Sequence, residues 1–371
     1  MMAELFIGLM SGTSMDGIDA ALVDLSNDQF KLLGTHCHPI PTELKYILQQ
    51  LALDHPSISI DQLGEADAEL GELFADAANR LLEIHQISSS EIVAIGSHGQ
   101  TIRHRPDLKH PFSLQIGDAS RIAYGTGITT IADFRSKDMA AGGEGAPLAP
   151  AFHRAFFSNR REARGILNIG GISNITYLPP DPAQHCFGFD IGPGNTLMDS
   201  WIQKLQLEEY DRDGRWAASG KPDKQLVEKL MSDPYLQQKP PKSTGREHYH
   251  LQWLEQHLDG FSELKPADVQ ASLCEFTCLS IQQALKQYVP DIQQLIICGG
   301  GAHNIHLMRQ LQSHSPEIHM DSSEHFGLAP DWVEAVAFAW LARQTLAGQS
   351  GNLPEVTGAD AAVILGAIHP A

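Results

Sequence analysis

The chain has 371 residues, 42% hydrophobic and 19% charged, with 45 acidic against 26 basic side chains and a formal net charge of −19. This length exceeds what one hydrophobic core usually supports and predicts two domains. The negative excess repels phosphate backbones and anionic lipid heads, so no nucleic-acid or membrane-surface partner is expected, and any polyphosphate must be held by local devices such as backbone N–H groups, a helix N-terminus, a divalent cation or a few arginines.

Five scattered cysteines, Cys37, Cys186, Cys274, Cys278 and Cys298, read as reduced thiols of a cytoplasmic protein. Cys274 and Cys278 share one buried helix face rather than forming a metal pair. The apolar stretch Leu5 to Met10 is too short for a signal sequence, and no segment reaches the ~20 apolar residues of a membrane span.

In chain order, Glu4 to Met10 reads as a buried strand, Ser11 to Gly17 as a turn of small residues, and Ile18 to Leu25 as a second strand. A dinucleotide-binding unit would instead run from its Gly-rich turn into a helix. Helical periodicity follows at Thr42 to Leu53 and Asp61 to His85. Ser88 and Glu91 are spaced as a capping box, but Ile92 to Ser97 reads as a strand, so the cap is discounted. Phe112 to Ile116 and Ile128 to Ala132 are further strands, with Asp118 capping a short helix between them.

The opening plan then repeats. Gly165 to Gly170 and Ser173 to Leu178 are strands joined by Gly170-Gly171-Ile172, and Cys186 to Asp190 is a third. Helices are expected at Thr196 to Leu205, Asp223 to Met231 and Ala267 to Val289. Gln293 to Cys298 is a buried strand ending in Gly299-Gly300-Gly301 ahead of a helix. Gly214 to Arg246 reads as a surface excursion, His248 and His250 as a polar surface stretch, and Pro330 to Leu346 as the last long helix. The small and polar run Lys137 to Glu144 is taken as the boundary. It gives an N-terminal domain 1–136, with 350–371 packing back on it, and a C-terminal domain 137–349.

Five constellations could carry chemistry. In the opening hairpin, Gly12, Thr13, Ser14, Met15, Asp16, Gly17, Ile18 and Asp19 let backbone N–H groups and hydroxyls converge on anionic oxygens, with Asp16 or Asp19 able to orient a metal-bound water. An ordinary hairpin turn has the same composition. The turn Asn168, Gly170 and Gly171 gains weight by pairing with the first, since two such hairpins can clamp a triphosphate. Gly299, Gly300, Gly301 and Asn304 lie at a strand-to-helix turn where a flat ligand can approach the backbone. Asp190, at a strand end before Gly-Pro-Gly, is placed to take a proton from a nucleophile, or else simply caps the turn. His98, Gln100, Asp133, Arg135 and Glu334 form a polar set of the kind that reads sugars, while Arg135 could meet a carboxylate.

The motifs GLMSGTSMDGIDAALVD, SHGQT, DFR, LNIGGISN, FDIGPGN, CGGGAHN and DWVEA, in that order, resemble the anhydro-N-acetylmuramic acid kinases over essentially the whole chain. The resemblance implies an α/β fold of two RNase H-like domains, as in actin-like ATPases and sugar kinases, with ATP in an interdomain cleft. It implies Gly12 to Asp19 and Asn168 to Asn174 as the two phosphate loops, Gly299 to Gly301 beside the adenosine, Mg²⁺ on the phosphates, a homodimer and a role in peptidoglycan recycling. It further implies 1,6-anhydro-N-acetylmuramic acid as substrate, with Asp190 deprotonating the water that attacks C1 while the bridging oxygen takes the γ-phosphoryl group. One departure stands out: sugar kinases and actin commonly carry an Asp where this chain has Asn168. Two alternatives stay open, an ordinary sugar 6-kinase and a non-catalytic ATP-binding regulator. Without the resemblance the residues themselves stop at a two-domain α/β protein that binds ATP.

Overall fold

A computed structural model describes residues 3–12, 15, 17–52, 59–245 and 248–371. The chain divides into two compact units, Met1–Phe156 with Trp332–Ala371, and Phe157–Asp331.

The first unit is built on strands β1 (Leu5–Ser11), β2 (Gly17–Asp24), β3 (Lys31–Pro39), β4 (Ile92–Arg105), β5 (Phe112–Ile116) and β6 (Thr130–Ala132). The sheet runs β3-β2-β1-β4-β6, and a short terminal strand, Ala367–His369, is added antiparallel outside β6. The first three strands form an antiparallel meander, whereas β4 lies parallel to β1 and β6 parallel to β4. The second unit repeats this plan with β7 (Arg164–Ile169), β8 (Ile172–Leu178), β9 (Phe187–Pro193), β10 (Gln294–Cys298) and β11 (His319–Ser322). Its order is β9-β8-β7-β10-β11, an antiparallel meander followed by two parallel strands. This mixed α/β topology, present twice, is the expected RNase H-like arrangement.

Helix Ile60–His85 packs its apolar stripe, Leu70, Phe74, Ala77 and Leu81, into one core with Ile7, Leu9, Ile18 and Ile95 of the sheet. Ser59 and Gln62 close its N-terminus with a capping box. Helix Val333–Leu346 packs on β1 and β4 of the same unit, and there the sheet carries glycine. A Cβ on Gly8 would overlap the Ala335 carbonyl and stand 2.9 Å from the Ala339 nitrogen; one on Gly96 would stand 2.8 Å from the Phe338 carbonyl carbon. The helix backbone therefore rests directly on the strands, a contact that no larger residue permits.

The division differs from the one read in the sequence. The first unit runs on to Phe156 and takes in the helix from Val333. Lys137 to Glu144 lies inside it as a short helix and turn around a buried carboxylate. Asp138 accepts from Gly145 N at 2.8 Å, Asn352 Nδ2 at 2.7 Å and Thr357 Oγ1 at 2.7 Å. Small residues serve that close packing rather than a linker.

Three further readings are corrected. The Ser88–Glu91 capping box forms after all, on a 3-10 turn leading into β4. The stretch from Gly214 is no surface excursion: beside the expected helix at Lys224–Met231 it carries a short one, Arg215–Ser219, and it buries Leu226, Leu230, Tyr235 and Leu236 in the second core. His248 meets Asp233 at 3.1 Å beside a fully buried Tyr249, so this stretch is half-buried and anchored in the core and is not a solvated surface run.

Candidate active site

In the second unit the proposed nucleotide residues collect at the carboxyl ends of the parallel strands β7, β9 and β10, where open α/β sheets bind ligands. Asn168 is paired with Asn174 on one side and Cys298 on the other. The next turn, Gly170-Gly171, is tied to the one after β9: Asn195 N donates to Gly170 O at 2.8 Å, and Gly194 N and Thr196 N donate to Gly171 O at 2.9 and 3.1 Å. Asn195 Nδ2 adds a bond to Ile169 O at 3.1 Å. Gly299 adopts a left-handed φ of 78° against Ile169, and its N–H donates to Pro330 O at 3.1 Å. Gly300 and Gly301 form a 3-10 turn, and Asn304 caps the following helix Ile305–His314 by accepting from Leu307 N at 3.0 Å. The structure thus brings Asn168, Gly170, Gly171, Gly299, Gly300, Gly301 and Asn304 to one end of one sheet.

Asp190 lies at that same end, half-buried on β9. The β8–β9 register slips between Ser173 and Asn174, so Ile191 is an extra residue and Asp190 faces Asn174. A bulge of this kind re-aims a side chain and releases backbone groups from the ladder. Asp190 N donates to Lys242 O at 3.2 Å and its carbonyl accepts from Tyr235 Oη at 2.7 Å. Its carboxylate Oδ2 accepts from Ser243 Oγ at 3.0 Å and from Thr244 N at 3.1 Å. Lys242 stands with its ammonium 4.5 Å from the Tyr235 ring centroid. Burial lowers its pKa, while Asp190 and Asp233 oppose that shift. The Tyr235 hydroxyl is pushed far up by burial and by the Asp190 charge, so it remains a donor.

In the first unit the polar set lies about the carboxyl ends of β1 and β6 and the middle of β4. Here too the register breaks, with His98 and Gly99 together facing Met10. His98 Nδ1 lies 2.9 Å from Gly99 O, which makes it the donor and leaves Nε2 to accept from Arg135, at 2.8 Å from Nη2 and 3.3 Å from Nε. Burial and the adjacent guanidinium hold His98 neutral, its pKa well below the usual imidazole range. Arg135 Nη1 donates to Gly145 O at 2.7 Å. Burial brings the Arg135 pKa down to about 10, against the attraction of Glu334 and Asp138, so it stays charged near neutrality.

Glu334 occupies the first turn of helix Val333–Leu346, a favourable place for a carboxylate. Loss of water raises its pKa, Arg135 opposes that, and the like charge of Asp19 adds to it, although the side chain keeps an open face to solvent. Gln100 is spent differently: its Oε1 accepts from Ser11 Oγ at 2.7 Å and its Nε2 donates to Thr101 O at 3.3 Å, a clamp on the end of β1. Asp133 is exposed, has a left-handed φ of 56°, and accepts from Ser136 Oγ. His98, Arg135 and Glu334 are therefore neighbours, whereas Gln100 and Asp133 bond elsewhere.

Of the opening loop, Gly12 accepts from Met15 N at 3.1 Å, Met15 is buried, and Gly17, Ile18 and Asp19 belong to β2. Thr13, Ser14 and Asp16 lie outside the described residues.

Residues 4–371 match the family described as anhydro-N-acetylmuramic acid kinase. A relative of that name in Coxiella burnetii is 52% identical over 366 residues, covering 99% of this chain and 97% of its own. One in Shewanella oneidensis is 51% identical over 361 residues, covering 97% of each. The chain belongs to the anhydro-N-acetylmuramic acid kinase family. It is accordingly a kinase, a phosphotransferase with an alcohol group as acceptor. Among solved structures it is also similar to an activator of 2-hydroxyisocaproyl-CoA dehydratase from Clostridium difficile with bound ADPNP, at 11% identity and a TM-score of 0.46 over 90% of this chain and 92% of that one.

For this kinase the sequence reading missed the residues around Asp190. Lys242, Ser243 and Thr244 sit in a Pro- and Lys-rich run that looks like solvated loop. The available signal was the run Lys242-Ser243-Thr244-Gly245 itself, three consecutive donors before a glycine, with Tyr235 and Tyr249 on either side.

Proposed function

We propose that this chain opens the 1,6-anhydro ring of 1,6-anhydro-N-acetylmuramic acid with water and phosphorylates O6 from ATP. The products are N-acetylmuramic acid 6-phosphate and ADP, and the step serves peptidoglycan recycling in the cytoplasm, with the enzyme a homodimer. The observation that carries this reading is the family match across residues 4–371.

The residues divide the work. Asp190 takes a proton from water as the water oxygen bonds to C1. The C1–O bond breaks, the former bridging oxygen becomes O6, and O6 bonds to the γ-phosphorus as the bond to the ADP oxygen breaks. The proton taken from water is later released from Asp190, which balances the reaction. Phosphoryl transfer asks mainly for positioning and charge neutralisation. Gly12 to Asp19 and Asn168 to Gly171 are assigned to the phosphates, Gly299 to Gly301 and Asn304 to the nucleoside. Arg135, aimed by neutral His98, is assigned to the anionic part of the sugar or to the moving phosphoryl group. Glu334, Gln100 and Asp133 are assigned to the sugar hydroxyls.

Mg²⁺ suits the residues present. The ion keeps several waters and needs only one or two carboxylates beside the phosphates. Asp19, whose charge acts on Glu334 next to it, is a carboxylate of that kind. Asp19, with Asp16, would orient its waters. When bound, the ion neutralises phosphate charge.

The test is ADP release across a panel of amino sugars with and without the anhydro bridge, run in ¹⁸O-water. Turnover confined to the anhydro-sugar, with label at the anomeric position, is expected. Turnover of open sugars with no anomeric label would establish the ordinary 6-kinase instead. Asp190→Asn should lose roughly 10²-fold or more in rate, as general-base loss does.

A further inference from the structure

We infer that Ser243 and Thr244 are positioning residues that orient Asp190 and keep it ionised, an inference that rests on Asp190 being the base proposed above. The bulge at Ile191 takes Asp190 out of the regular ladder. A base released in that way needs another support, and a single neighbouring stretch supplies it at every level. Lys242 O receives the Asp190 N–H, Tyr235 Oη reaches its carbonyl, and Ser243 Oγ and Thr244 N both donate to Oδ2.

Two donors on one carboxylate oxygen do two things. They fix the plane of the carboxylate against rotation about its last side-chain bond, which a proton transfer to a held water requires. They also favour the charged form and so offset the loss of water that half-burial brings. Lys242 and Tyr235 are titratable groups that face Asp190. Asp233, paired with His248 and Tyr249, lies beyond them. Across the sheet the facing residue is neutral Asn174. Ser243 itself is exposed, so trimming its hydroxyl leaves the core untouched.

The experiment is the pH profile of kcat/KM for Ser243→Ala, Ser243→Thr and Asp190→Asn beside the parent enzyme, with anhydro-sugar and ATP as substrates. The base acts deprotonated, so activity rises with pH through its pKa, and losing a donor to the charged form moves that limb upward. A charge-assisted bond corresponds to about one pH unit. Ser243→Ala should therefore shift the acid limb up by about half to one unit and lower kcat/KM about three- to tenfold below it, with KM nearly unchanged. Ser243→Thr should restore the parent profile, and Thr244→Pro, which removes the N–H, should reproduce the Ala shift. If Asp190→Asn is inactive but Ser243→Ala and Thr244→Pro overlay the parent profile, the positioning inference is overturned. If Asp190→Asn keeps its turnover, the assignment of the base is what fails.

Discussion

Gly8→Ala should harm stability and catalysis together, because one contact carries both. Its new Cβ would overlap the Ala335 carbonyl oxygen, standing 2.7 Å from the carbonyl carbon and 2.9 Å from the Ala339 nitrogen. Ordinary contacts between heavy atoms lie at ~3.5–4.0 Å. The overlap with the Ala335 oxygen is the most severe of these, so helix Val333–Leu346 must withdraw from β1 by well over ~1 Å, and since the obstructing atoms are helix backbone, no rotamer change can relieve it. Overpacking of this kind costs about 1–3 kcal/mol, and a rigid neighbour puts Gly8 at the upper end. The same withdrawal moves Glu334, in the first helical turn, away from Arg135; a misplacement of about 1 Å can cost ~10²-fold in rate. Urea unfolding and kcat/KM should be measured for Gly8→Ala and Gly96→Ala against Gly64→Ala. Gly64 lies within helix Ile60–His85, where an added Cβ meets nothing within 4 Å. There alanine should stabilise by about 0.5–1 kcal/mol. A Gly8→Ala enzyme within ~0.5 kcal/mol of the parent, with kcat/KM intact, would refute the direct packing of helix on strand.

Acidification should unfold the first unit through its histidines. Burial holds His98 well below the usual value and takes His153 down to about 3. The unfolded chain therefore binds protons below pH 6.5 that the native state refuses, and stability falls as pH drops from 6.5 towards 3, by up to ~1.4 kcal/mol per unit for each ring. Urea midpoints at pH 7, 6 and 5 should show this slope, and His153→Leu should remove one ring's share; a flat profile would contradict it. Asp138→Ala takes the acceptor from three buried donors, of which the Thr357 hydroxyl has another in reach, the Leu353 carbonyl, and should cost about 3 kcal/mol by the same assay; a loss below ~1 kcal/mol would mean the carboxylate is not a tie. Only Cys37 of the five thiols is exposed. Ellman's reagent should therefore titrate one thiol quickly in the native protein and all five after denaturation, and a second fast thiol would place a cysteine wrongly.

Much of this fold is legible because its strands are short apolar runs bounded by glycine. Glu4 to Met10, Gly165 to Gly170 and Gln293 to Cys298 fall within a residue or so of β1, β7 and β10. The helices Asp61 to His85 and Ala267 to Val289 announce themselves by an apolar stripe over many turns. What escaped is governed by tertiary contact. Strand β3 carries Lys31, Thr35, His36 and His38 and is largely exposed or half-buried, so it has no apolar alternation to find. Strand β4 runs on through Gln100 to Arg105 because β5 pairs with it, although its sequence turns polar after Gly96. Helix Val333–Leu346 was assigned to the wrong neighbour: its apolar surface shows that it is buried, but only the glycines at positions 8 and 96, far away in sequence, say against what.

The polar residues of the site follow one structural logic that sequence periodicity hides. A regular strand alternates its side chains between two faces, so a polar residue at a buried strand end would point either into the core or out of the site. A bulge lifts that restriction, since one extra residue turns the chain and exposes backbone groups to partners outside the sheet. Both units use it in a strand that runs parallel to the unit's first, midway along β4 and near the carboxyl end of β9. In β4 the extra residue sets His98 against Arg135; in β9 it sets Asp190 against Lys242, Ser243 and Thr244. An apolar strand interrupted by a single ionisable residue beside glycine, as in IGSHG and FDIG, is then better read as a bulge awaiting a loop than as a flawed strand. Where that loop comes from is fixed by topology: Arg135 follows the adjacent parallel strand β6, whereas Thr244 arrives 54 residues after Asp190. That difference is why His98 and Arg135 fall into one polar set in the sequence, whereas the partners of Asp190 do not.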